Sequence, residues 1–136
     1  MALRPPTQAQ AMATVEPLPA DEVSGLIRFH HGTSGLSATQ LLHHGVDQQL
    51  AAASNVTGEF WATTDHAVAE YFARAHPNAP PAACFEFDLP ETVLRVILTQ
   101  RPPGATRHGA KDVEFHPSSF AVLNSHSLNR QVIWFV

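Results

Sequence analysis

The segment LIRFHHGTSG, residues 26–35, constrains the fold more than any other part of the chain. Its first six residues alternate like a β-strand and place Ile27, Phe29 and His31 on one face. Because that face is the apolar one, we predict that His31 points into the interior and that His30 points outward. Two glycines in GTSG then break the strand. We therefore expect a first strand that stops at a glycine directly preceded by an inward histidine.

The rest of the pattern predicts an α+β fold, a compact mixed sheet of about six strands with two or three short helices. Ser37 is expected to cap the first helix, and Gly45 to close it in the left-handed conformation. Asp65 or Thr64 is expected to cap a second helix over residues 66–76. Strands are predicted at 26–31, 58–64, 83–89, 92–98, 112–116 and 131–136, a helical turn at 117–124, and loops at 46–57 and 99–111.

Length and composition indicate one folded domain. The chain has 136 residues, 44% of them hydrophobic, which suffices for a single core over residues 23–136. Residues 1–22 contain four prolines and show no period, so we expect a flexible or loosely docked arm. A net charge of −4 with eight Lys and Arg residues gives no basic footprint for a duplex backbone, although nucleic acid stays open as a substrate.

The sequence also limits where the protein is expected to act. No apolar run approaches the ~18 residues of a membrane helix, and the N-terminal residues lack a basic-then-apolar signal pattern. We expect no membrane association, and either a cytoplasmic protein or delivery by a signal-independent secretion route. Cys84 is the one cysteine; it lies in an apolar run and is expected to be a small buried hydrophobe.

The nine histidines do not form a recognisable metal motif. His30 and His31 are adjacent on a strand and face opposite ways, and His43 and His44 lie about 100° apart on a helix. Zinc sites use spacings such as H-x-x-x-H, which the chain lacks. We therefore predict no metal site. The chain also lacks the G-x-S-x-G turn of a serine hydrolase.

Three separate motifs together fit a single ligand-binding and catalytic site better than the histidines fit a metal site. Residues 31–33 (HGT) end a strand with an imidazole and a glycine that lets a ligand approach the backbone. Residues 60–63 (FWAT) place an aromatic ring on a strand, and residues 71–72 (YF) add two more on the next helix. Residues 112–116 (DVEFH) place acidic side chains on the polar face of a short strand that follows a loop, where a carboxylate is suited to electrostatic catalysis.

These motifs carry a resemblance to a known family. The stretches FHHGTSGLSATQLLHHGVD, GEFWATTDHAVAEYFARA, FEFDL and DVEFHPSSFAVLN, between residues 26 and 124, resemble the ADP-ribosyltransferase fold. The similarity is to small bacterial members with the His, aromatic, Glu motif order of the poly(ADP-ribose) polymerase-like branch. It implies a sheet split around an NAD-binding cleft. It further implies a toxin or effector that transfers ADP-ribose from NAD to a macromolecular acceptor, releases nicotinamide and needs no metal.

The resemblance implies roles in NAD binding for several residues. They are His31, Gly32, Thr33, Trp61, Tyr71 and Phe72. His31 would bond the adenosine-side ribose, and the Gly32 backbone would hold the nicotinamide carboxamide. Trp61 stands at the signature tyrosine position, and Phe72, or alternatively Tyr71, would stack on the nicotinamide ring.

The same resemblance assigns the catalytic work to Glu114 together with His31. Glu114 would bond the 2′-hydroxyl of the nicotinamide ribose and stabilise the oxocarbenium ion, and Asp112 is the alternative carboxylate. The chemistry is coherent, because aromatic rings attract the cationic nicotinamide ring and a carboxylate favours the cation of the transition state. The loop 99–111 would meet the acceptor, a protein or a nucleic acid.

Two positions depart from the family pattern, and two other functions stay open. Trp61 replaces the tyrosine, and Ala69 stands where the polymerase-like branch has a serine that binds the carboxamide. One alternative is an NAD glycohydrolase of the same fold, in which water is the acceptor. The other is a catalytically weak module that binds NAD or a protein partner.

Overall fold

The computed structural model describes residues 25–47, 58–75, 81–99 and 106–135. The predicted arm at 1–22 and most of the predicted loop 46–57 lie outside these ranges. The elements in chain order are β1 (Leu26–Ser34), α1 (Gly35–His44), β2 (Phe60–Thr63), α2 (His66–Ala75), β3 (Ala82–Pro90), α3 (Glu91–Leu98), β4 (Arg107–His108), β5 (Asp112–Phe115), a 3₁₀ turn (Pro117–Ser119), α4 (Phe120–His126) and β6 (Leu128–Trp134). Within them, no helix is both long enough and apolar enough to cross a membrane.

The strands form one six-stranded sheet in the order β4-β5-β2-β1-β3-β6. The α+β class is confirmed, but every described pair of neighbouring strands is antiparallel, whereas a mixed sheet was expected. β1 is central and pairs with β3 over its whole length, from Leu26–Pro90 to Ser34–Ala82. Its other neighbour, β2, is paired with it at a single described position, His30 with Thr63.

Residue alternation gives the sheet two different faces. The aromatic face carries Phe29, Phe60, Phe85, Phe87 and Phe115, whose rings pack at centroid distances of 5.4 to 6.3 Å. Buried residues of α1, α3 and α4 complete this main core. The polar face carries Arg28, His30, Trp61, Thr63, Glu86, Asp88, Asp112 and Glu114. Helix α2 packs on the polar face, where Ala69 and Ala73 form a smaller cluster with Cys84 and Phe135.

The predicted strand at 92–98 is wrong, because these residues form helix α3. β-branched residues suggested a strand, but the buried positions Leu94 and Ile97 are three apart and fit one face of a helix. Glu91 accepts a 2.7 Å hydrogen bond from Arg95 one turn later, which supports the helix locally. Packing of the apolar stripe on the aromatic face therefore outweighs β propensity here.

Several boundaries also differ from the sequence predictions. The expected end of the first strand before Gly32 is wrong, because β1 continues to Ser34 and stays paired with β3 as far as Ala82. Helix α1 begins at Gly35, two residues before the expected cap, and Ser34 Oγ accepts the hydrogen bond from the Ser37 N–H at 3.2 Å. Gly45 follows that helix with the expected positive φ of 79°, but its ψ of −176° is not that of the left-handed helical conformation. Of the two caps predicted for α2, Asp65 accepts from the N–H groups at positions 67 and 68. The predicted loop 99–111 contains β4, and the last strand starts at position 128 and not at 131.

Candidate functional site

The aromatic and acidic residues of the predicted site meet on the polar face. Trp61 on β2 lies directly across from Glu114 on β5 in the antiparallel register. Such partners have Cβ atoms about 5 Å apart and point to the same side of the sheet. The Phe72 ring of α2 packs on Trp61 with a centroid distance of 4.9 Å and an interplanar angle of 66°. The structure therefore brings together two aromatic rings and one carboxylate from three separate stretches of sequence.

His31 lies on the other side of the sheet. Its alternation with His30 places it on the aromatic face, where its ring is 4.5 Å from that of Phe60. Its Nδ1–H donates a 2.6 Å hydrogen bond to the Trp61 carbonyl oxygen, just past the pairing of β1 with β2. The side chains of His31 and Glu114 thus point to opposite faces. His31 contacts the predicted site through the backbone of Trp61.

Gly32 and Thr33 are both buried at the end of β1. The backbone of α2 packs directly on Gly32, so that an added Cβ atom would lie 1.9 Å from the Ala69 carbonyl oxygen. Close helix packing thus accounts for this glycine, where the sequence suggested the approach of a ligand. Thr33 pairs with Ala83 and lies on the aromatic face beside His31. It does not share a face with Trp61.

The remaining two predicted residues flank the aromatic pair. Tyr71 is 66% exposed and touches the edge of Phe72 at a centroid distance of 5.3 Å. Asp112 lies on the polar face two residues before Glu114 and is paired with Thr63. Tyr71 thus contacts Phe72, and Asp112 shares the polar face with Glu114, so both stay alternatives.

A second group of polar residues lies farther along the same face, at the N-terminal end of α2. A cleft of about 430 Å³ is lined by Arg28, His30, Thr64, Asp65, His66, Glu86 and Lys111. The prediction that His30 points outward is wrong, because α2 covers this face of the sheet and leaves His30 only 4% exposed. Its Nδ1–H donates a 2.8 Å hydrogen bond to Glu86 Oε2, and the charged partners form a buried pair when His30 is protonated.

Hydrogen bonds keep the buried carboxylates of this region ionised. Burial alone would raise the pKa of Glu86, but the hydrogen bonds from His30 and Gln131 and the positive charges nearby lower it overall. The pKa of Asp88 is lowered in the same way, because the Arg28 guanidinium donates two hydrogen bonds of 2.8 and 3.2 Å against the effect of burial. Asn129 Nδ2 donates a third bond to Asp88 at 2.8 Å.

The same region holds the candidate metal ligands of the described residues. His30, Cys84 and Glu86 are all buried, and each offers a ligand atom that lies within 4.8 Å of the other two. Burial and the nearby Glu86 charge raise the pKa of the Cys84 thiol to about 12. A sequence signal for this group is C-x-E on one strand, a spacing that places both side chains on one face. Histidine spacings on one helix, such as H-x-x-x-H, do not include this pattern.

Comparisons with known proteins add no further constraint. No protein-family model, no curated protein and no solved structure matches the chain.

Proposed function

We propose that the protein transfers ADP-ribose from NAD to a macromolecular acceptor and releases nicotinamide. The observation that carries the proposal is the arrangement of Trp61, Phe72 and Glu114 on one face of the sheet. The two aromatic rings would bind the cationic nicotinamide ring. The carboxylate, on the strand next to Trp61, would stabilise the positive charge that develops on the ribose as nicotinamide leaves.

The aromatic pair must rearrange to admit the nicotinamide ring. A ring held between two others needs them parallel and about 7 Å apart, twice the ~3.5 Å contact distance. The Trp61 and Phe72 rings are 4.9 Å apart and tilted by 66°, so they contact each other directly. Phe72 is 46% exposed and is the ring with room to turn outward. Binding of NAD should therefore change the environment of Trp61.

The proposal changes the role of His31 from that expected of a ribose ligand. Its imidazole lies on the aromatic face and holds the Trp61 carbonyl by a 2.6 Å hydrogen bond. We therefore treat His31 as a positioning residue that fixes β2 where Trp61 and Glu114 meet. A glutamine at this position preserves a donor of similar reach, whereas an alanine does not.

The decisive experiment follows NAD that carries separate labels in its nicotinamide and adenine moieties. The wild-type protein is expected to release nicotinamide and to transfer the adenine label to lysate protein or nucleic acid. Glu114→Gln should lower nicotinamide release by about 10²–10³-fold while NAD binding persists. Asp112→Asn is the matched control on the same strand, and its release should stay within about threefold of the wild type.

Each other outcome has a definite meaning. Nicotinamide release without macromolecular label would identify an NAD glycohydrolase. If Asp112→Asn loses nicotinamide release and Glu114→Gln retains it, Asp112 is the catalytic carboxylate. Binding of NAD without release of nicotinamide would indicate a non-catalytic module, and no binding would overturn the proposal.

A further inference from the structure

We propose that the polar face holds a binding site for a divalent transition-metal ion of the zinc type, built by His30, Cys84, Glu86 and His66. This site is separate from the proposed NAD site. It was not expected from the sequence, in which no spacing of histidines indicated a metal.

The first three donors form one buried group on adjacent central strands. His30 on β1 is paired with Glu86 on β3, and Cys84 lies two residues before Glu86 on the same face. Their ligand atoms lie within 4.8 Å of one another, and the three residues are between 0% and 6% exposed. Tetrahedral zinc with bonds of 2.0–2.3 Å places its ligand atoms about 3.3–3.6 Å apart. Separations of up to 4.8 Å would have to close by about 1 Å, and metal bonds would replace the 2.8 Å hydrogen bond between His30 and Glu86.

The fourth donor is His66, at the first position of α2. Its Nδ1 is 3.6 Å from Glu86 Oε2, a separation that already suits two ligands of one tetrahedral ion. Its ring packs edge-on against that of His30 at 5.1 Å. The His66 side chain is 49% exposed and lines the 430 Å³ cleft, which provides a route for the ion from solvent. His30, Glu86 and His66 thus line the cleft, and Cys84 lies on the same strand and the same face as Glu86.

Neighbouring groups support the arrangement. Gln131 Nε2 donates a 2.9 Å hydrogen bond to Glu86 Oε1, which leaves Oε2 directed toward the two histidines. Such outer hydrogen bonds orient a ligating carboxylate. A thiolate and a carboxylate together neutralise a divalent cation, so the buried cluster carries no net charge once the Cys84 proton has been released to solvent. Sulfur and imidazole donors favour zinc or cobalt over magnesium or calcium.

Cobalt(II) is the probe, since its absorption reports both tetrahedral geometry and thiolate ligation. The full-length protein, treated with a chelator and then dialysed, is titrated with cobalt chloride. We expect one equivalent to give intense visible bands and a sulfur-to-cobalt charge-transfer band. Cys84→Ser should remove the charge-transfer band. His66→Ala should weaken cobalt binding by roughly tenfold or more. Gln131→Ala should weaken it less, by up to about tenfold.

One control variant and one surface test variant keep the cobalt experiment independent of folding and of the proposed function. His43→Ala removes an exposed histidine at the end of α1 and should leave the cobalt spectrum unchanged. His66→Ala changes a surface residue, so it carries the test if Cys84→Ser fails to fold. Weak bands without charge transfer, or a charge-transfer band that survives Cys84→Ser, would overturn the metal site. Nicotinamide release by the same samples reports on the NAD proposal separately, because its readout does not involve cobalt.

Discussion

Gly32 provides the sharpest structural test, because α2 packs on it without room for a side chain. In Gly32→Ala the new Cβ would lie 1.9 Å from the Ala69 carbonyl oxygen and 3.0 Å from the Ala73 nitrogen. Both obstacles are helix backbone, which cannot turn aside as a side chain does. An ordinary contact of about 3.4 Å would require α2 to retreat by about 1.5 Å.

That displacement of α2 would pull its two alanines away from the other members of their small apolar cluster. Ala69 and Ala73 are 0% and 5% exposed and pack with Cys84 and Phe135, so a retreat by 1.5 Å leaves a gap along their contact with the sheet. Overpacking of this kind costs about 1–3 kcal/mol, and the lost contacts add to it. We therefore expect Gly32→Ala to lower the free energy of unfolding by about 3 kcal/mol.

The assay is urea unfolding followed by tryptophan fluorescence. Gly35→Ala is the first control: its new Cβ would meet the ring of Trp134, a side chain that is 52% exposed and can move, so the cost should be under about 1.5 kcal/mol. Gly109→Ala has its nearest obstacle at 4.0 Å and should be nearly neutral. A Gly32→Ala protein within 0.5 kcal/mol of the wild type would refute the tight helix packing described above.

Other predictions concern charge, reactivity and a loop anchor. Because the pKa values of Glu86 and Asp88 are lowered in the folded state, the stability that they contribute is full above about pH 5 and is lost as the pH falls through their folded-state values. Urea unfolding at several pH values should show this decline, and Glu86→Gln should flatten it; an equally steep profile would contradict the assignment. The thiol of Cys84, whose pKa is raised to about 12, should react with a disulfide reagent at pH 8 roughly a thousandfold more slowly than after unfolding. Comparable rates would mean that the thiol is accessible. Asn124→Ala removes hydrogen bonds of 2.8 and 2.9 Å to the backbone of Val46 and should cost about 1–3 kcal/mol in unfolding free energy. A loss below 0.5 kcal/mol would indicate that water replaces the amide.

The sequence by itself determined the local elements wherever the hydrophobic periodicity and the capping residues indicate the same helix or strand. Short-range sterics and hydrogen bonding explain the alternation of residues 26–31, the positive φ at Gly45 and a cap at Asp65 or Thr64. The fold contains the first two, and Asp65 is the cap that it uses. Adjacent residues on a strand point to opposite faces. The sequence therefore also determined that Trp61 points away from the face that carries its strand neighbours Phe60 and Ala62. The helix at Glu91–Leu98 was missed because its β-branched residues resemble a strand until a core surface is present.

The tertiary structure decided which polar residues share a site. Strand order and register pair Trp61 with Glu114 and His30 with Glu86, over separations of more than fifty residues. Local sequence carries no information on such pairings, since they are selected by the burial of two whole faces. For the same reason the sequence could not show that α2 covers His30, or that His31 lies behind the site. A side chain's direction depends on its own strand, but its burial and its partners depend on what the rest of the chain packs against it.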